Sequence, residues 1–159
     1  MTGLIDHLDR QLASSRRLLQ ILLAQGEAIR RQDVEGVLAR LGDVQAEMVK
    51  RVQLERERDR FVQQAAVLLG LPAQAVTLDG LLQLLPPADA LVARDKSAEL
   101  RGLLAEIARV HGQNKVLIRQ ELAFLDHLMR VLSGAPQGGY TPVGASPARQ
   151  QTRIFDARV

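Results

Sequence analysis

Apolar residues recur at Leu4, Leu8, Leu12, Leu19, Leu22 and Ile29, then at Val34, Val37, Leu41, Val44, Met48 and Val52, at intervals of mostly three and four. That is the period of an amphipathic helix. The spacing predicts a first helix over residues 3–31 and a second over 34–69. Between them stands Arg30-Arg31-Gln32-Asp33, with Asp33 placed to cap the second helix. The capping box is incomplete, because Gly36 occupies the position where Glu or Gln would complete it. The break reads as a kink or a tight turn, which leaves one bent rod and a hairpin both open. The second helix runs through Glu55-Arg56-Glu57-Arg58-Asp59-Arg60, read as a solvated face, and ends at Gly70-Leu71-Pro72.

Thr77 is placed to cap a short helix over 78–85, which Pro86-Pro87 would stop. From Asp89 to Ser133 no proline interrupts a third long helix, which at the rise of an α-helix would reach on the order of 65 Å. Long helices with short connections pack against one another along coiled-coil-like seams. The expected fold is therefore all-α, an elongated antiparallel helical bundle with coiled-coil-like packing over residues 1–133 and a flexible C-terminal tail over 134–159. The tail holds Gly134, Gly138, Gly139, Gly144, Pro136, Pro142 and Pro147, a composition that buries too little apolar surface to offset its ordering entropy.

The third long helix carries a wide apolar face. One row is Leu100, Leu104, Ile107, Ile118, Leu122, Leu125, Met129 and Leu132; a second is Leu103, Val110, Leu117, Phe124 and Val131, spaced by seven. Together they cover about 180° of the helix, more than the roughly 100° stripe that one core-facing side requires. The surplus is covered by the other helices of the chain, by a second subunit or by a client, and it becomes a binding site only where it is exposed. Two polar residues, His111 and Asn114, sit where the seam would be apolar, and their expected role is to fix its register.

Composition excludes several classes. Aromatics make up 3% of the chain, and tryptophan and cysteine are absent. Leu, Val, Ile and Ala must build the interior, and there is no disulfide or thiolate chemistry, as in a reducing compartment. Cytoplasmic location is the expectation. The net charge is +3, but acidic residues are interspersed among the arginines and only three of the 21 basic residues are lysines. Without a basic stripe, nucleic acid is not an expected partner. Neither a secretion signal nor a bilayer-spanning run is read from the sequence, so no stable membrane insertion is expected.

Catalytic patterns are missing too. His7, His111 and His127 have no metal-ligand spacing, and there is no phosphate-binding loop, nucleophile elbow or recognisable carboxylate pair. The expectation is no enzyme, no cofactor and no metal. Tyr140 is the one tyrosine of the chain, flanked by Gly138-Gly139 and followed by Thr141-Pro142-Val143-Gly144. A large amphipathic ring in such a segment suits an interface anchor, the alternative being that it folds back on the bundle. The chain closes on a second apolar cluster, Ile154-Phe155-Asp156-Ala157-Arg158-Val159.

The order of these features resembles the FlgN family of flagellar type III export chaperones. The resemblance rests on the leucine-periodic first helix, Arg31-Gln32-Asp33-Val34 opening the second and the Arg-rich end of that helix. It continues through Asn114-Lys115-Val116-Leu117-Ile118, Tyr140 four residues before Gly144, and the ending Phe155-Asp156-Ala157-Arg158. It implies a non-enzymatic protein that binds the terminal helical segments of hook-associated (hook-filament junction) proteins, prevents their premature assembly and delivers them to the type III export gate. The client-binding residues would then be Val110, Leu117, Ile118, Leu122, Phe124, Leu125, Met129 and Val131. By the same resemblance, Tyr140 would dock on the cytosolic domain of the gate. The competing reading is a self-assembling coiled-coil structural or membrane-peripheral protein, in which the wide face is a homo-oligomer interface.

Overall fold

The computed structural model describes residues 3–133, all-α, with no strand among them. The elements are α1 (Leu4–Arg30), α2 (Val34–Leu69), a single 3-10 turn at Ala73–Ala75, α3 (Leu78–Gln83) and α4 (Pro87–Leu132). Packing separates Met1–Phe124, one compact unit, from the residues that begin at Leu125.

The break between α1 and α2 is a hairpin turn. Arg31 N donates to Glu27 O at 3.1 Å and Asp33 N to Ala28 O at 2.9 Å, so the last carbonyls of α1 are satisfied by a Schellman-type closure. The closing residue is Gln32, which takes the left-handed conformation at φ 56°, a position that glycine usually fills. The next residue starts the new helix, since Gly36 N donates to the Asp33 carboxylate at 2.9 Å. Gly70 closes α2 the same way at φ 64°, with Leu71 N donating to Ala66 O at 3.0 Å. Thr77 caps α3 by accepting from Gly80 N at 3.2 Å.

Two bounds differ from the sequence reading. The short helix stops at Gln83, not residue 85, and α4 begins at Pro87, not Asp89. Proline is well placed in a first helical turn, where its missing N–H would have no intrahelical acceptor and its fixed φ already suits the helix. The Pro86-Pro87 pair thus starts a helix as well as stopping one.

Side-chain pairs give the helix directions. Glu57 and Glu47 of α2 meet His7 and Ser14 of α1 in reverse order, so α1 and α2 are antiparallel. Along α4, Lys96 pairs with Asp9, Glu99 with Arg16 and Glu121 with Gln32. α4 therefore returns alongside α1, antiparallel to α2, completing an up-down-up bundle. One apolar cluster gathers Leu4, Leu8, Leu82 and Ala93, with Phe61, Leu78, Leu85, Ala90 and Leu100 packed against it. α3 is the brace that seals this end. A second cluster joins Leu18, Leu22 and Val110 with Leu19, Val44 and Ile107.

The side of α2 that faces the bundle is not the one its leucines and valines suggest. Its buried residues are Glu47, Leu54, Ala65 and Ala66, whereas Val34, Leu38, Leu41, Met48 and Val52 are exposed. The reason lies in α1, whose buried face carries Gln11, Ser14 and Ser15 beside its leucines. The two serines are small enough for close approach and bond to α2. Ser14 donates to Glu47 at 2.7 Å, and the Arg51 guanidinium donates to Ser15 Oγ at 3.0 Å. At this height the polar layer of α1 has drawn Glu47 and Arg51 inward, while Val44, Leu54 and Phe61 supply apolar contact elsewhere along α2.

Candidate functional site

The two apolar rows of α4 lie on a single helix but meet different surroundings along it. In its first part the rows are packed except at Leu104, which is 40% exposed. Ile107 and Val110 sit in the second core cluster, Leu100 in the first, and Leu103 is half-buried. Asn114 continues this stripe and is 2% exposed. Its Nδ2 donates to the Leu22 carbonyl at 2.7 Å and to Gln25 Oε1 at 3.2 Å, which locks α4 in register with α1. The approach is close enough that a Cβ on Gly26 would lie 2.7 Å from Asn114 Oδ1. His111 does not share this role. It is exposed, because the packed stripe runs through Ile107, Val110 and Asn114 and passes it by.

After Asn114 the cover thins. Leu117 and Ile118 are half-buried, and Gln32 in the hairpin turn donates to Glu121 at 3.3 Å. Leu122 and Phe124 are then 60% and 55% exposed. In the residues that follow, Leu125, Leu128, Met129, Val131 and Leu132 are all exposed, between 39% and 73%. Leu122 and Phe124 thus face solvent at the end of the first compact unit, and the five residues from Leu125 to Leu132 do so in the segment that follows it. Charged residues interleave with them, Arg130 pairing with Asp126 on the same helix. Such a surface can take up a second amphipathic helix, its anchors spaced by three and four.

Of the residues proposed from sequence for client binding, Leu122, Phe124, Leu125, Met129 and Val131 are on this open surface, and Leu117 and Ile118 lie at its margin. Val110 is not available to a client. At 3% exposed it belongs to the core between α1 and α4, since α1 still covers the row at that height. Tyr140, with the rest of 134–159, lies outside the described residues.

Two polar clusters escaped the sequence reading. Glu57, within the run taken as a solvated face, accepts from Arg10 at 3.1 Å and from His7 Nδ1 at 3.2 Å. With the proton on Nδ1, the other His7 ring nitrogen accepts from Gln11 Nε2 at 3.3 Å. The Arg10 hydrogen bond, with that of His7, holds the Glu57 carboxyl below the usual carboxylate range. Glu47 is 3% exposed. Burial raises its pKa, but the Ser14 hydroxyl and the Arg17 and Lys50 cations outweigh this and bring it below the ordinary value. Both clusters join helices, and Arg10 and Glu57 also line an open surface pocket with Gly3, Asp6, Arg60, Phe61 and Gln64. Among the described residues no three or more His, Asp or Glu side chains gather as a metal site.

The family model described as FlgN protein matches residues 1–148. The chain belongs to the FlgN family. It is thereby placed in a family of flagellar export chaperones, a chaperone and not an enzyme family, and its partners in the broad sense are flagellar export substrates. No curated protein and no solved structure matches the chain. In this FlgN-family protein no helix among the described residues is long and apolar enough to cross a membrane.

Proposed function

We propose that this FlgN-family chaperone acts in the cytoplasm, holding the terminal helical segments of hook-filament junction proteins on the exposed end of α4 and presenting them to the export gate. The observation that carries this reading is the contrast within α4: apart from Leu104, the apolar rows from Leu100 to Asn114 are buried or half-buried, and from Leu122 onward they are exposed. A client segment destined for a coiled coil has an apolar stripe of its own, and α4 substitutes for the partner helix missing before assembly. Burying five or six of these side chains gives roughly 1.5–3 kcal/mol each in gross terms, much of it offset by the loss of translational freedom and by side-chain ordering.

The client-binding residues are then Leu122, Phe124, Leu125, Met129 and Val131, with Leu117 and Ile118 at the edge. Tyr140 is assigned to gate docking, on the family pattern and on the suitability of an aromatic anchor between glycines. The two roles separate experimentally. Tyr140→Ala is expected to leave client affinity unchanged and to weaken binding to the cytosolic domain of the gate in a pull-down; equal gate capture would remove Tyr140 from that role. Phe124→Asp is expected to weaken client binding at least tenfold with unchanged helical circular dichroism, since its side chain is 55% exposed.

A further inference from the structure

The outward face of α2 has a period of its own. Val34, Leu38, Leu41, Gln45, Met48 and Val52 are separated by four, three, four, three and four residues, the 3.5-residue repeat of a coiled-coil seam. A helix face that merely meets solvent has no need of that repeat. The five apolar members are 44–69% exposed, and Gln45 is exposed as well. The opposite side of α2 is already occupied by α1, so this seam is available to a helix from outside the bundle.

We propose that the seam is a homodimer interface, in which α2 of a second copy of this chain packs antiparallel against it. The pattern is self-complementary about Asp43. Turning a second α2 end for end around that position sets Val34 against the partner's Val52, Leu38 against the partner's Met48, and Leu41 against the partner's Gln45. Every large apolar residue of the seam then faces the partner's seam, and the polar Gln45 falls near the centre, where it disfavours slipped alignments. Charge agrees with this alignment. Glu35 and Arg56 have no ion-pair partner among the described residues. In the antiparallel pair each comes within about a turn and a half of its opposite on the other copy, within the reach of an arginine side chain. The contact is isologous and closes on itself, so it yields a dimer and not a filament. Its short seam makes the dimer dissociable. It does not depend on the client-binding reading.

Because the chain has no cysteine, introduced thiols report on this geometry without background. The experiment combines sedimentation equilibrium of the full-length protein with oxidation of Leu38→Cys and Met48→Cys chains, separately and mixed. The expected results are a concentration-dependent dimer, a disulfide that forms in the mixture and not in either variant alone, and a monomer at all concentrations for Leu41→Glu. Val52→Glu repeats the last measurement should Leu41→Glu lose helical circular dichroism. A monomer throughout, a dimer indifferent to both substitutions, or cross-linking as strong within a single variant as in the mixture would overturn the proposal. Client affinity measured on the same variants remains unchanged if α4 is the client site, so the two readings fail separately.

Discussion

Glu47 places a carboxylate between α1 and α2 with almost no solvent, held by the Ser14 hydroxyl at 2.7 Å and the Arg17 guanidinium at 3.2 Å. Hydrogen bonds to a buried charge are worth more than neutral ones, and Glu47→Ala is expected to cost about 1.5–3 kcal/mol in urea unfolding. The folded-state pKa of Glu47 is lowered, so its contribution is complete above the unfolded value and is lost as pH falls through the folded one. Urea midpoints measured from pH 7 down to pH 3 should therefore fall on the acid side for the parent and fall less for Glu47→Gln. A parallel pair of curves would contradict the assignment. At Gly26 the sign depends on a neighbour. Gly26→Ala pushes a methyl group against Oδ1 of Asn114, whose side chain is pinned by the two hydrogen bonds that its Nδ2 donates, and should destabilise by roughly 1–3 kcal/mol. In an Asn114→Ala background the same change should be neutral or stabilising by up to about 1 kcal/mol, because alanine is the better helix former. Gln32 stands at φ 56°, and Gln32→Gly is expected to stabilise by about 0.5–1 kcal/mol, read by thermal or urea unfolding.

The long helices were visible in the sequence through their period, and the starts of α2 and α3 through residues with a physical job. Asp33 and Thr77 both accept from the third backbone N–H beyond them, as their types and positions suggest. The face a helix turns inward was less legible. On α2 Val34, Leu41, Met48 and Val52 of the apolar row point outward while Val37 and Val44 are half-buried and Glu47 points inward, because the decision belongs to α1, whose Ser14 and Ser15 complement Glu47 and Arg51. Periodicity within one helix cannot report the polar pattern of its neighbour. For α4 the total apolar width was readable, but where cover ends was not. That boundary is set by the hairpin turn at Gln32, whose amide meets Glu121, and it divides Val110 in the core from Leu122 outside it. An element-scale consequence follows. Aspartate at Leu122 or Met129 should leave thermal unfolding within about 0.5 kcal/mol of the parent, as for exposed positions generally, whereas aspartate at Val110 should unfold the bundle.

On the proposed function, stability and client binding reside on different lengths of the same helix. The first part of α4 is committed to α1 by Ile107, Val110 and Asn114, and the exposed end retains apolar anchors that the bundle does not use. A protein built this way can gain or lose a client without repacking its core. The measurement that tests this most directly is titration calorimetry of the full-length protein with the terminal helical segment of a hook-filament junction protein, comparing the parent with Leu125→Asp/Met129→Asp. The account predicts binding by the parent with a negative heat-capacity change, the mark of apolar burial, and at least a hundredfold loss in the variant with helical content retained. Equal affinity in a folded variant would place the client elsewhere and contradict the account.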